Sequence, residues 1–139
     1  MSKVSTMSVD ITPGDCDPMG LLLPPRTQCW IDAAAAGFFT RCGLPGWHEL
    51  QRTRGLLGVT PLEQHARFVC SATSGDRLTI TTEVRQWRAG NFVQHHVARR
   101  GDELIFECEE TRAFVAQDPA GPHRVRVVPV PQDIRALCD

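Results

Sequence analysis

Ten residues, Trp30-Ile31-Asp32-Ala33-Ala34-Ala35-Ala36-Gly37-Phe38-Phe39, restrict the folds open to this chain more than any other stretch. Trp30, Ile31, Ala34 and Phe38 recur at helical spacing and form one apolar stripe. The four alanines make the remaining faces thin and apolar too, and a helix apolar nearly all round is one that must be covered. Pro24-Pro25 suits its start, because proline at the first helical position gives up no hydrogen bond. Gly43-Leu44-Pro45 stops it. The expected helix runs from about Pro25 to Cys42 and is roughly 27 Å long at 1.5 Å per residue.

The rest of the chain must provide the cover, and it reads mainly as strands. Met7 to Thr12 alternates before the helix, and Pro13-Gly14 ends it. Trp47 to Arg54 is a polar connector or a short helical turn. Gly55 to Val69 is extended, with a break near Thr60-Pro61. Arg77 to Trp87 puts Leu78, Ile80 and Val84 on one face, and Ala89-Gly90-Asn91 is a hairpin turn into Phe92 to Arg99. Leu104 to Ala116 shifts its apolar phase around Glu109-Glu110, which predicts a bulge or an edge strand. Val125 to Val130 is a short strand, and Pro131 to Cys138 a turn or helix. One helix and a meander of strands imply an α+β fold, with an antiparallel sheet of about five to six strands wrapped around a long central helix. Moderate alternation on both faces of the strands predicts that the second face finds partners in other subunits.

At 139 residues the chain has the length of one domain, 1–139, and its 42% hydrophobic content supplies a core. A formal net charge of −1 argues against nucleic acid and anionic membrane as partners. No apolar run is long enough to span a bilayer, and the first residues lack the apolar core of a signal peptide, so the expected compartment is cytoplasmic. The six cysteines are scattered without a C-x-x-C pair, which predicts free thiols and no zinc site. Lys3 is the only lysine; the other basic residues are arginines, whose forks suit phosphates.

Between the first strand and the helix lies Gly14-Asp15-Cys16-Asp17-Pro18-Met19-Gly20. A carboxylate beside a helix start can attack a carbonyl or deprotonate water, while backbone N–H groups hold the oxyanion. Asp and Pro are equally the residues of a plain turn. Asp32 lies within the apolar helix, where a buried carboxylate needs a partner: a substrate hydroxyl, a donor such as Trp47, or a structural arginine. Trp30 reads as core. His95 and His96 are adjacent on a strand and face opposite ways, so strand packing or a subunit interface suits them better than one metal. His48 and His65 have no assigned role, and Glu63 reads as structural.

In order along the chain, Gly14-Asp15-Cys16-Asp17-Pro18, Trp30 to Ala34, Cys42-Gly43-Leu44-Pro45 with Trp47, Phe68-Val69-Cys70, Leu78-Thr79-Ile80, Trp87-Arg88, Phe92-Val93-Gln94 and Val130-Pro131 resemble the 4-hydroxybenzoyl-CoA thioesterase family of hotdog-fold acyl-CoA thioesterases. The resemblance implies hydrolysis of an acyl-CoA, with an aromatic, 4-hydroxybenzoyl-like acyl group. It makes Asp17 the catalytic nucleophile or general base, and puts Asp32 and Trp47 at the acyl pocket. Leu23 and Pro24 stand at the thioester carbonyl, and Arg88 and Arg126 near CoA phosphates. It implies no metal and no cofactor beyond the CoA of the substrate, and a homodimer pairing into a homotetramer with sites at subunit interfaces. The chain departs from the family pattern at Pro24, which lacks the N–H that polarises the carbonyl there; Leu23 and Arg26 are the neighbouring donors. Leu23 stands for an aromatic residue, Val59 for a threonine, and Ala89 and Gly90 for basic residues. A hotdog hydratase or dehydratase, or a non-catalytic acyl-CoA-binding protein, are the alternatives.

Overall fold

A computed structural model describes residues 3–121 and 123–139. Strand β1 (Val4–Asp10) is followed by a 3-10 turn (Pro13–Asp15), helix α1 (Pro24–Arg41) and helix α2 (Trp47–Arg54). Then come β2 (Leu56–Phe68), β3 (Arg77–Trp87), β4 (Phe92–Arg100), β5 (Glu103–Gln117), β6 (Val125–Val128) and α3 (Gln132–Cys138). The strands form one six-stranded antiparallel sheet in the order β1-β3-β4-β5-β2, with β6 beside the end of β5. Helix α1 packs on its inner face.

Most elements follow the sequence pattern. Helix α1 starts at Pro24 and ends at Arg41, within a residue of expectation. β3 has the expected limits and buries Leu78, Ile80, Thr82 and Val84 in strict alternation. β2 carries register shifts at Leu56/Gly58 and Pro61/Glu63, the second of them where the break was expected. β1 begins earlier and stops sooner than its alternation implied. Val4, Ser5 and Thr6 extend it by pairing with Glu83, Thr82 and Thr81, while Thr12 leaves it to cap the 3-10 turn. The Trp47–Arg54 connector is a full α-helix; only Leu50 is buried, so it carries almost no apolar period to read.

Two expectations are corrected. β5 is neither bulged at Glu109-Glu110 nor an edge, since it lies between β4 and β2 in unbroken register there. Phe106, Cys108, Glu110, Arg112 and Phe114 all face inward and are buried; the apparent phase shift is a charged pair seated on the core side. Second, α1 is not covered all round. The sheet buries Trp30, Ile31, Ala34, Ala35, Phe38 and Phe39, but Cys29, Asp32, Ala33 and Thr40 form an exposed stripe.

The core has two apolar clusters. One gathers Ala35, Phe38, Phe39, Phe92 and Phe114 with Leu50 and Val59; the other gathers Ile31, Ala34, Leu78, Ile80, Ala98 and Phe106 with Ile11. Between them, on consecutive inward positions of β3, β4 and β5, lie Thr82, Gln94, His96, Glu110 and Arg112, all buried.

Candidate active site

Thr12 and Pro13 turn the chain out of β1. Asp15 closes that turn: its Oδ2 accepts the Thr12 N–H at 2.9 Å and the Thr12 hydroxyl at 3.0 Å, and its Oδ1 accepts Arg26 Nε at 2.7 Å. This is a capping box, with a cross-link to the first turn of α1. The Thr12 N–H in particular, with Arg26 and the Thr12 hydroxyl, holds the Asp15 carboxyl below its ordinary range despite burial. Both oxygens of Asp15 are therefore committed to structure.

Asp17 differs. Its Oδ1 accepts the Met19 N–H at 2.8 Å and the Leu21 N–H at 3.0 Å, and its own N–H donates to the Leu21 carbonyl at 2.8 Å. Gly20 makes the tight return possible with φ of 85°. Among the described residues Oδ2 of Asp17 has no hydrogen-bond partner. The turn reading and the catalytic reading thus occupy different oxygens of one half-buried carboxylate.

Beside this loop an apolar groove of about 410 Å³ runs between Leu21, Leu22, Pro24 and Thr27 on one wall and Phe68 and Val69 on the other. The entrance of α1 offers it no backbone donor. Leu23 N–H is bound to the Asp15 carbonyl at 2.9 Å, Pro24 and Pro25 have none, and Arg26 N–H returns to the Leu23 carbonyl at 3.0 Å. The two substitute backbone donors expected from the sequence, Leu23 and Arg26, are already spent. Leu22, on the groove wall, has an N–H without a partner among the described residues.

A second, open groove of about 440 Å³ brings together Asp32, Ala36, Trp47, Val59, Thr60 and Arg112. Asp32 is exposed, not buried as its apolar neighbours implied, because it lies on the uncovered stripe of α1. Its Oδ1 accepts Arg112 Nη2 at 2.6 Å and Gln28 Nε2 at 2.9 Å. Of the partners open to it, the arginine is present, and Trp47 is not the donor: its Nε1–H is bound to the Ala36 carbonyl at 3.0 Å. The Trp47 ring packs edge-on against Phe39 at 6.0 Å.

Thus the chain joins Asp32 to Trp47, and separately joins Asp17 to the start of α1. Asp32 lies roughly 12 Å along the helix from Pro24, by the rise per residue. Arg88 sits at the β3–β4 hairpin, bonded to Asn91 Oδ1 at 3.2 Å and Gln86 Oε1 at 3.1 Å. Arg126 is exposed on β6, opposite Ala116. The sequence reading missed Arg112 and its buried partners. The signal was available, as Glu110 and Arg112 share the inward parity of Phe106 and Phe114. Among the described residues no three His, Cys, Asp or Glu side chains converge as a metal site, and no helix is long and apolar enough to cross a membrane.

A curved antiparallel sheet on one long helix, with an acidic loop at the helix entrance, is the arrangement of the hotdog thioesterases. The thioesterase-like superfamily matches residues 11–137, and the chain belongs to it. It is 38% identical to the 4-hydroxybenzoyl-CoA thioesterase of Pseudomonas sp. (strain CBS-3), over 99% of both chains. A solved structure of 4-hydroxybenzoyl CoA thioesterase, the D17N mutant complexed with 4-hydroxybenzoyl CoA, superimposes with a TM-score of 0.91 at 38% identity, covering 98% of this chain and 99% of that one. A gentisyl-coenzyme A thioesterase shares the fold at a TM-score of 0.79 and 22% identity, covering 96% and 98%.

Proposed function

We propose that this protein hydrolyses an acyl-CoA thioester to free acid and CoA, and that its acyl group is aromatic and 4-hydroxybenzoyl-like. The observation that carries the reading is end-to-end likeness to 4-hydroxybenzoyl-CoA thioesterase, together with a carboxylate, Asp17, that keeps one oxygen free beside a groove. In one route Asp17 Oδ2 attacks the thioester carbon; the C–S bond breaks, CoA leaves as thiolate, and water hydrolyses the mixed anhydride. In the other, Oδ2 takes a proton from the attacking water. Leu23 and Pro24 then border the reacting carbonyl. Asp32 and Trp47 meet the ring, and Arg88 and Arg126 meet CoA phosphates. No metal or further cofactor enters either route.

Asp17 and Asp32 serve different grooves of one chain, and the exposed stripe of α1 is built of small residues. Both features favour a homodimer in which one copy supplies Asp17 and its partner Asp32; that dimers pair into a homotetramer and that the protein is cytoplasmic are further parts of the proposal. A second reading also has a specific observation behind it. The lack of a free N–H at the α1 entrance fits an acyl-CoA binder without catalysis.

The test is CoA thiol release from aryl and fatty acyl-CoAs by wild type and Asp17→Asn. The expected loss in the variant is about 100-fold or more, the scale of a positioned acid–base group. Wild-type turnover in the variant removes Asp17 from the mechanism, and tight acyl-CoA binding without thiol release by the wild type establishes the second reading.

A further inference from the structure

Arg112 is the charged side chain on which the second groove depends. It is 2% exposed, and its guanidinium holds a different element with each nitrogen. Nη2 donates to Asp32 Oδ1 on α1 at 2.6 Å, Nη1 to the Val59 carbonyl on β2 at 2.8 Å, and Nε to Glu110 on β5. Glu110, also buried, accepts from His96 Nε2 at 2.8 Å and from Gln64. Across the ring, His96 Nδ1 pairs with the Thr82 hydroxyl at 2.8 Å. Its two ring nitrogens thus link the Thr82 hydroxyl on β3 to the Glu110 carboxylate on β5. A continuous polar chain therefore crosses the core from β3 to α1. Burial pushes the Glu110 carboxyl up, but the bonds from His96 and Arg112 outweigh it and hold it below its usual range.

Such a chain is a poor device for stability alone. Each buried ion costs several kcal/mol in desolvation, and well-packed apolar residues commonly serve a core as well or better. What the chain does reach is Asp32, exposed on the uncovered face of α1 and bordering the second groove. Both donors to Asp32 fall on Oδ1, and Oδ2 has no partner among the described residues. A guanidinium is needed for this: a lysine at 112 could keep the charge near Glu110, but could not hold Val59 and Asp32 at fixed angles as well.

We propose that Arg112, braced by Glu110 and His96, is a positioning residue for acyl-group specificity. It locks Asp32 so that Oδ2 stands free to accept a hydrogen bond from a hydroxyl on the far end of an aryl acyl group. The inference rests on the thioesterase reading above, in which Asp32 meets the acyl ring. A site built around an oriented acceptor rejects the analogue lacking the hydroxyl, because its own carboxylate is left unpaired.

The experiment measures kcat and KM for 4-hydroxybenzoyl-CoA and benzoyl-CoA with full-length wild type, Arg112→Lys, Glu110→Gln, Asp32→Asn and the Arg112→Lys/Asp32→Asn double variant. The quantity read is the ratio of the two kcat/KM values. Arg112→Lys is expected to lower it about 10-fold or more, on the scale by which small misplacements act. Glu110→Gln lowers it in the same direction, and Arg112→Lys adds nothing once Asp32 is Asn. Equal losses on both substrates mark a merely structural role and overturn the inference. If Arg112→Lys does not fold, the Glu110→Gln ratio decides. A wild-type preference that survives both variants defeats the inference alone; a wild type with no preference defeats the specificity reading and the inference with it. If the wild type releases no thiol, the thioesterase reading falls, and the ratio of dissociation constants for the two thioesters tests Arg112 by the same criterion.

Discussion

Pro24→Ala is expected to make this enzyme faster and less stable. A helix start ordinarily leaves its first N–H groups unpaired. Here Leu23 N–H is bound to Asp15, Pro24 and Pro25 contribute none, and Arg26 N–H closes onto Leu23, so the groove wall at Pro24 is without a donor. Alanine at 24 adds one N–H at the first helical position. A well-aimed oxyanion donor is worth about 3–4 kcal/mol, or at least about 100-fold in kcat. One introduced without further adjustment recovers part of this, and a rise of about 10-fold is expected. The loss of a proline whose conformation already fits the helix costs about 0.4–1 kcal/mol through the freer unfolded chain. The assays are CoA thiol release under saturating substrate and a thermal melt of the same preparations. A kcat that stays level or falls, in a protein whose melting shift matches the proline term, refutes the reasoning. The oxyanion would then be served from elsewhere, with Leu22 N–H the first candidate.

The same geometry sets further outcomes. Asp15 contributes stability that is complete above the ordinary carboxylate value of about 3.9 and lost as pH falls through its depressed folded value, so acid titration should cost wild type more stability than Asp15→Asn. Equal acid sensitivity would remove Asp15 from that balance. Phe39→Ala should lower stability by about 3–5 kcal/mol in denaturant melts, since the ring is fully buried among Phe38, Trp47, Phe92 and Phe114. Burial raises the Cys108 and Cys138 thiols to about 12, so iodoacetamide at pH 8 should leave both unmodified until the protein is denatured. Rapid alkylation of either in the native state would contradict their burial.

The fold was largely legible because its strands obey a period of two and its helix a period near 3.6. β3 shows this best, since even its buried polar Thr82 keeps the parity of Leu78 and Ile80. β5 departs from its sequence pattern for a physical reason: hydrophobicity is the ordinary sign of burial, and at Glu110 and Arg112 charge neutralisation between the two side chains takes its place. Asp15 and Asp17 look alike as loop acids in the sequence; the bonds that commit both oxygens of Asp15 and only one of Asp17 are set by the fold. That Asp32 is exposed, and that its partner is an arginine 80 positions away, is set by tertiary placement that local pattern does not encode. The spent N–H groups of Leu23 and Arg26 were likewise hidden, because Leu23 is bound by a carbonyl from the preceding loop.

The polar partition through the core has a consequence for how such a protein can change. Each apolar compartment backs its own groove: Val59 and Trp47 belong to the one behind Asp32, Leu22 and Ala72 to the one behind the Asp17 loop. Volume added or removed on one side meets a rigid hydrogen-bonded wall before it reaches the other. A change at Val59, which lines the groove beside Asp32, can therefore leave the Asp17 loop in its setting. This chain thus carries a seam along which one groove can change apart from the other.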